Sequence, residues 1–169
     1  MTKTFGPFPG VFCLMILILT LILQGCSSSR SIVETEKISV NKNLRKAVIK
    51  QTKSYLGTPY RWGGDSGSGM DCSGLIYRSF KDLNQQVGRT TSALMRLGRR
   101  VSLKRLKPGD LLFFKTVKSK AKATHVGLVT QMAKNSTQFI HSGSSTGVTI
   151  AKLQDPYWQK RFVFARRLR

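Results

Sequence analysis

"GGDSGSGMDCSGLIYRSF", residues 63–80, changes character in its middle. Up to Met70 it is glycine, serine and polar residues, the composition of a loop. From Cys72 onward Leu75, Ile76, Phe80 and, just past the quoted stretch, Leu83 recur at helical spacing, with Asp71 placed to cap them. The spacing predicts a helix over 72–83 that starts on a cysteine. Three roles are open to Cys72: a buried core thiol, a metal ligand or a nucleophile. A helix N-terminus stabilises a thiolate and lowers its pKa, so the position suits a nucleophile. Glycines 63, 64, 67 and 69 do not make a phosphate loop, because no GK[ST] follows them. They let the loop turn tightly and leave the thiol accessible.

Outward from this stretch, helices come first and strands follow. "NLRKAVIKQTKSYLG", 43–57, carries Leu44, Val48 and Tyr55 at roughly helical spacing and has Gly57 as a stop. "TTSALMRLG", 90–98, suggests a short helix ended by Gly98. Then the period changes. "KPGDLLFFK" is a turn feeding a strand, and "THVGLVTQM", "TQFIHSG", "GVTIAKL" and "RFVFARRL" are further strand candidates. Helices followed by a run of antiparallel strands predict an α+β fold, and 169 residues suit one domain.

The N-terminus indicates export. Val11–Leu23 is apolar and uncharged, short for a membrane span and of signal-peptide length, with Lys3 as a minimal basic flank. "LILQGC" follows and resembles a bacterial lipobox ending at Cys26. The expected division is a signal peptide over 1–25, a lipidated Cys26 with a flexible tether over 26–42, and a domain over 43–169. An uncleaved membrane anchor is the alternative, and both place the domain outside the cytoplasm. Of three cysteines, Cys13 would leave with the signal peptide and Cys26 would take the lipid. Cys72 would then have no disulfide partner. One cysteine and two histidines without zinc-site spacing make a metal site a poor fit.

The two histidines are His125 and His141, each in a strand-like stretch, with "AKNS" between them as a hairpin turn. If that turn centres near Ala133 and Lys134, the histidines lie opposite each other or nearly so. Directly opposed residues share a face, so one imidazole would orient the other as a third group orients the base in triad chemistry. Two unrelated histidines fit the positions as well.

Beyond these patterns, "DCSGLI", "HVGLV" and "FIHSGSSTGV" resemble the signature blocks of the NlpC family of papain-like cell-wall cysteine peptidases. "GTPYRWGG", "GRTTSALMRLGRRV", "LKPGDLLFF" and "DPYWQKRFVFARR" are similar to its intervening blocks, and the lipoprotein branch with murein DD-endopeptidases matches best. The resemblance implies a papain-like fold with Cys72 as nucleophile, His125 as base and His141 as the orienting residue. It places Tyr60 beside the thiol as an oxyanion donor or as packing. It puts Asp71 and Ser73 on the substrate cleft, Asp71 as ligand of a substrate amine, as helix cap, or both. The Cys72 backbone N–H is a second oxyanion donor. The implied substrate is peptidoglycan peptides, with no metal or organic cofactor. Family members often carry a glutamine after the "RTT" block; here Leu94 and Met95 stand in that region, so any substrate contact through that glutamine is absent.

The formal charge is +22, and loss of residues 1–25 removes only Lys3, leaving 28 basic against 7 acidic side chains. Such a surface attracts anionic envelope polymers. Export and the lack of a reading motif argue against nucleic acid. The combined expectation is a monomeric murein endopeptidase, lipid-anchored at Cys26 in the outer membrane and facing the periplasm, since Ser27 rather than aspartate follows the cysteine. Its rivals are an amidase or acyltransferase on the same scaffold and a non-catalytic envelope-binding lipoprotein.

Overall fold

The computed structural model describes residues 1–2 and 41–168. The apolar signal segment, Cys26 and the tether as far as residue 40 lie outside the described residues. Among the described residues no helix is long and apolar enough to cross a membrane.

Helix α1 spans Lys42–Lys53. Its cap is Asn41, whose side chain accepts from the Leu44 amide at 2.9 Å, satisfying one of the N–H groups that a helix start leaves unpaired. The helix stops before Gly57, which takes a φ of +82° after a stretch of turns. The glycine-rich segment is not all loop: β1 (Asp65–Ser66) pairs antiparallel with β2 (Gly69–Met70). Helix α2 spans Cys72–Lys81 and buries Leu75, Ile76 and Phe80, as the spacing predicts. Helix α3 is a single turn, Thr91–Leu94, capped by the Thr90 hydroxyl.

The strands form one six-stranded sheet in the order β3-β8-β4-β5-β6-β7. These are β3 (Arg99–Val101), β4 (Leu111–Phe114), β5 (His125–Ala133), β6 (Ser136–Gly143), β7 (Gly147–Lys152) and β8 (Phe162–Arg167). Every pairing is antiparallel, which makes the fold α+β. "LLFF" of β4 is buried on both faces. Leu111 and Phe113 join Val126, Leu128, Ile140 and Phe164 in a core against the α2 side chains Leu75, Ile76 and Phe80. Leu112 and Phe114 join Val129 and Phe139 in a second core, covered by Trp158 of the short helix α4 (Pro156–Arg161). The sequence patterns missed α4 and β3, which are too short to show a period.

Asp110, fully buried at the start of β4, ties α1 to the sheet. It takes Arg167 at 2.8 Å, Arg45 at 3.4 Å and the Lys107 amide at 2.8 Å. A buried carboxylate needs such partners, because removing one partner of a buried pair costs about 3–5 kcal/mol.

The hairpin differs from the expectation in register. The turn is Lys134–Asn135, since Ala133 pairs with Ser136, so it lies further along than Ala133–Lys134. Val129 pairs with Phe139 but Gln131 with Gln138, which leaves Thr130 as a bulge. A one-residue shift flips a strand's faces. Continued straight from the turn, the register would put His125 and His141 on opposite faces of the sheet. The bulge returns them to the same face, as diagonal rather than opposed neighbours.

Candidate active site

Cys72 is the first residue of α2 and lies half-buried on a cleft of about 650 Å³ that Tyr60, Asp71, Ser73, Thr91, His125 and Ser142 also line. Two glycines allow this start. A Cβ on Gly74 would fall 2.0 Å from the Gly64 carbonyl oxygen, and that same oxygen accepts from the Asp71 amide at 3.0 Å and from Arg89 at 2.9 Å. The loop therefore seats its backbone directly on the first turn of the helix, which explains the glycine of "DCSG".

Asp71 is the cap. Its Oδ1 accepts from the Gly74 amide at 2.6 Å, the Ser73 hydroxyl at 2.9 Å and Arg89 at 3.0 Å, and its Oδ2 from the Gly63 amide at 2.9 Å and Arg89 at 3.2 Å. Burial pushes this carboxyl up, but Arg89, the Gly74 amide and Ser73 outweigh it and hold it below the usual range. A carboxylate offers about four lone-pair sites, and these contacts fill them. Asp71 borders the cleft as expected, yet it is occupied as cap and clamp rather than open to a substrate amine. Arg89, a residue of the "GRTT" block with no role assigned from sequence, completes the clamp.

The thiol corrects one expectation. Burial pushes the Cys72 pKa up, beyond what the amides of Val126 and Ser73 and the Thr91 hydroxyl lower it, and the Asp71 charge raises it further. The backbone amides at the helix start do not prevail against that burial. Sγ lies 3.8 Å from Thr91 Oγ1. Burial also raises the Tyr60 phenol, followed by the charges of Cys72 and Asp71, and Tyr60 lines the same cleft as the thiol.

His125 opens β5, one residue before the Val126 amide that the thiol meets. His125 Nε2 and His141 Nδ1 are 3.2 Å apart, with the ring planes near perpendicular. Both are buried. Burial lowers His125 to about 3, with the His141 charge as the second cause, and lowers His141 to about 4. Both rings are neutral at pH 7, so one nitrogen of the pair donates and the other accepts. Trp158 covers them: it stacks on His125 at 5.5 Å between centroids and meets His141 edge-on at 4.6 Å. Gly127 leaves room for the Phe139 ring beneath the pair, since a Cβ there would sit 2.5 Å from that ring.

The site thus brings together Cys72, His125, His141, Tyr60, Asp71 and Ser73. Sequence reasoning passed over Arg89, Thr91 and Trp158, although all three stand in blocks quoted for the resemblance. Leu94 and Met95 do not face substrate: Leu94 is fully buried in the first core and Met95 packs against it.

The NlpC/P60 family pattern matches residues 57–167. The chain is 38% identical to the probable endopeptidase NlpC of Escherichia coli, covering 93% of this chain and 99% of that one. It is 32% identical to the E. coli murein DD-endopeptidase MepS/murein LD-carboxypeptidase, over 80% of this chain and 69% of that one. A crystal structure of a lipoprotein-like NLP/P60 protein from Staphylococcus aureus superposes with a TM-score of 0.66 at 26% identity, covering 80% of this chain but only 44% of that one.

Proposed function

The chain belongs to the NlpC/P60 family, and on that premise we propose that it is a cysteine endopeptidase that hydrolyses amide bonds in peptidoglycan stem peptides or cross-links. The observation that carries this is the buried pair His125–His141, 3.2 Å apart, with His125 on the strand that meets the thiol at the start of α2 and His141 on the next strand. Relatives named as murein endopeptidases support the substrate class.

In the proposed cycle the thiol and the imidazole begin neutral. His125 donates from Nε2 to His141 Nδ1, which leaves the His125 Nδ1 lone pair to take the thiol proton as sulfur attacks the carbonyl carbon. His141 then accepts a hydrogen bond from an imidazolium and so stabilises it. The oxyanion meets the Cys72 N–H, one of the unpaired amides of a helix start, and the Tyr60 hydroxyl. His125 returns the proton to the leaving amine. Water attacks the thioester with His125 as base again, freeing the carboxylate product and the thiol.

The cellular setting is part of the same proposal and rests on sequence: residues 1–25 direct export, Cys26 carries the lipid, a tether runs as far as the Asn41 cap of α1, and the domain from there works on murein from the periplasmic face of the outer membrane. Cys26→Ser should abolish lipid labelling without changing hydrolysis. Unchanged labelling would remove the anchor, and recovery only with inner membranes would remove the outer-membrane placement. The activity is tested by incubating the full chain and its Cys72→Ala variant with defined muropeptides and weighing the products. A split stem or cross-link from the parent alone is the expected result. A freed sugar–lactyl end would make it an amidase, and identical products from both proteins would remove Cys72 from the chemistry.

A further inference from the structure

We propose that a basic groove along α1, separate from the cleft, holds a second, non-reacting stretch of peptidoglycan through its carboxylates. This rests on the substrate class proposed above. The groove is about 940 Å³ and shares no lining residue with the cleft. Lys42, Lys46, Lys50 and Lys53 of α1 line it, and Lys107 faces them from the turn before β4. Spacings of four, four and three residues put the α1 lysines on one helix face, where like charges repel. The ion pairs of the described residues all use arginines: Arg45 and Arg167 share Asp110, Arg89 takes Asp65 and Asp71, and Arg78 takes Asp82. Among the described residues these five lysines therefore have no carboxylate. Asp110 is taken by Arg45 and Arg167, so the lysine ammonium groups are left to an external polyanion.

The shape selects the kind of anion. The surface is a groove that Ile49 and Pro108 also line, and none of the exposed large apolar side chains lines it. A bilayer is met by a flat or convex face with apolar side chains to insert, whereas a concave strip of cations fits a polymer strand. Its position fits a strand that also reaches the cleft. The groove includes Thr130, five residues along β5 from His125, or roughly 17 Å at the rise of a strand. A small muropeptide in the cleft cannot occupy both, while a polymer can. Two weak contacts on one polymer raise the effective concentration of scissile bonds at the thiol.

The test uses the full chain in detergent. In the Cys72→Ala background, retention on purified sacculi is compared for the parent, for Lys46→Gln/Lys50→Gln/Lys53→Gln, and for a control with the same charge change, Lys104→Gln/Lys134→Gln/Lys152→Gln. The groove variant should lose roughly tenfold in retention at low salt, with the difference shrinking as salt rises, and the control no more than about twofold. With Cys72 intact, the groove variant should show a raised KM on sacculi and an unchanged kcat/KM on a soluble muropeptide. Equal losses in both variants would reduce the effect to bulk charge and overturn the groove. So would retention on sacculi that the groove variant leaves intact; in a parallel vesicle sedimentation, a loss confined to vesicles containing phosphatidylglycerol would make the face a membrane contact and overturn the groove as well. A parent that binds sacculi but leaves the soluble muropeptide uncut would defeat the endopeptidase proposal and not the groove.

Discussion

The two halves of the cleft hold their side chains by opposite means. At the start of α2 the order is ionic: Asp71 is filled by Arg89, Ser73 and the Gly63 and Gly74 amides, and its carboxyl stays ionised. Across the thiol, His125 and His141 are neutral and are held by burial and aromatic contact with Trp158 and Phe139. Cys72 stands between them and titrates with the second half, pushed up by burial despite its helix N-terminus. All three shifts favour the neutral forms, which is the resting state that the proposed cycle starts from.

The neutral half should break hardest. His125→Gln removes the proton acceptor, and general-base catalysis is worth on the order of 10²–10⁴-fold, so kcat/KM on a muropeptide should fall by that much with the fold intact by circular dichroism. His141→Gln and His141→Asn should keep measurable turnover, because an amide can accept the His125 hydrogen bond. His141→Ala should fall between them and His125→Gln, since the ring is then free to rotate. If His125→Gln outperforms His141→Gln, the two roles are reversed.

The ionic half should break in stability before it breaks in rate. Asp71→Ala loses cap and clamp together and should cost about 2–3 kcal/mol in a denaturant melt, whereas Asp71→Asn keeps an equally good cap and loses only the charge. A clear gap between the two separates clamp from cap; equal costs would mean that Arg89 contributes nothing there.

Acid should act on both halves in one direction. The histidines titrate near 3 and 4 in the fold against an ordinary value near 6.5, so the unfolded chain binds more protons and stability falls as pH drops from about 6.5 towards 3. The lowered Asp71 adds stability that is present above its unfolded pKa and lost below it. The melting temperature should therefore decline through this window. A flat profile from pH 6.5 to 4 would contradict the burial of the pair.

How much of this could be seen in the sequence follows the length of the signal. Helix α2 and strands β5 to β8 follow the sequence pattern, β4 shows as an apolar run after a turn, and they lie where those signals put them. The strand β3 and helix α4 are too short for a period to show, and α3 is a single turn ending at Leu94 where the sequence suggested a short helix running on to Gly98. Asp71 could be seen as a cap because capping is local, but its saturation could not, because Arg89 arrives from 18 residues away. The pairing of the histidines could be guessed from symmetry about the hairpin. Their diagonal register depends on the Thr130 bulge, which no residue type announces. The direction of the thiol shift went the other way because a helix N-terminus is visible in sequence and the dryness around a sulfur is not.

The smallest predicted effect tests why the neutral half is neutral. Trp158 stacks on His125 and abuts His141, and it belongs to a helix too short to be seen in the sequence. Burial is the first cause of the low values on both rings, and Trp158 supplies part of it as a positioning residue. Trp158→Ala should admit water and let the imidazoles rise towards their ordinary range. A raised imidazole pKa means more protonated base at any given acid pH, so the acid limb of kcat/KM should move up. Near pH 7.5 the variant should lose only a few-fold, and near pH 5 roughly tenfold more. Trp158→Phe keeps an aromatic cover and should keep the wild-type limb. The check is kcat/KM on one muropeptide from pH 4.5 to 8 for the three proteins, with folding followed at each pH. Parallel profiles for Trp158→Ala and wild type would mean that the indole fixes the rings without setting their protonation, and the dry half would owe its neutrality to Phe139 and the sheet alone.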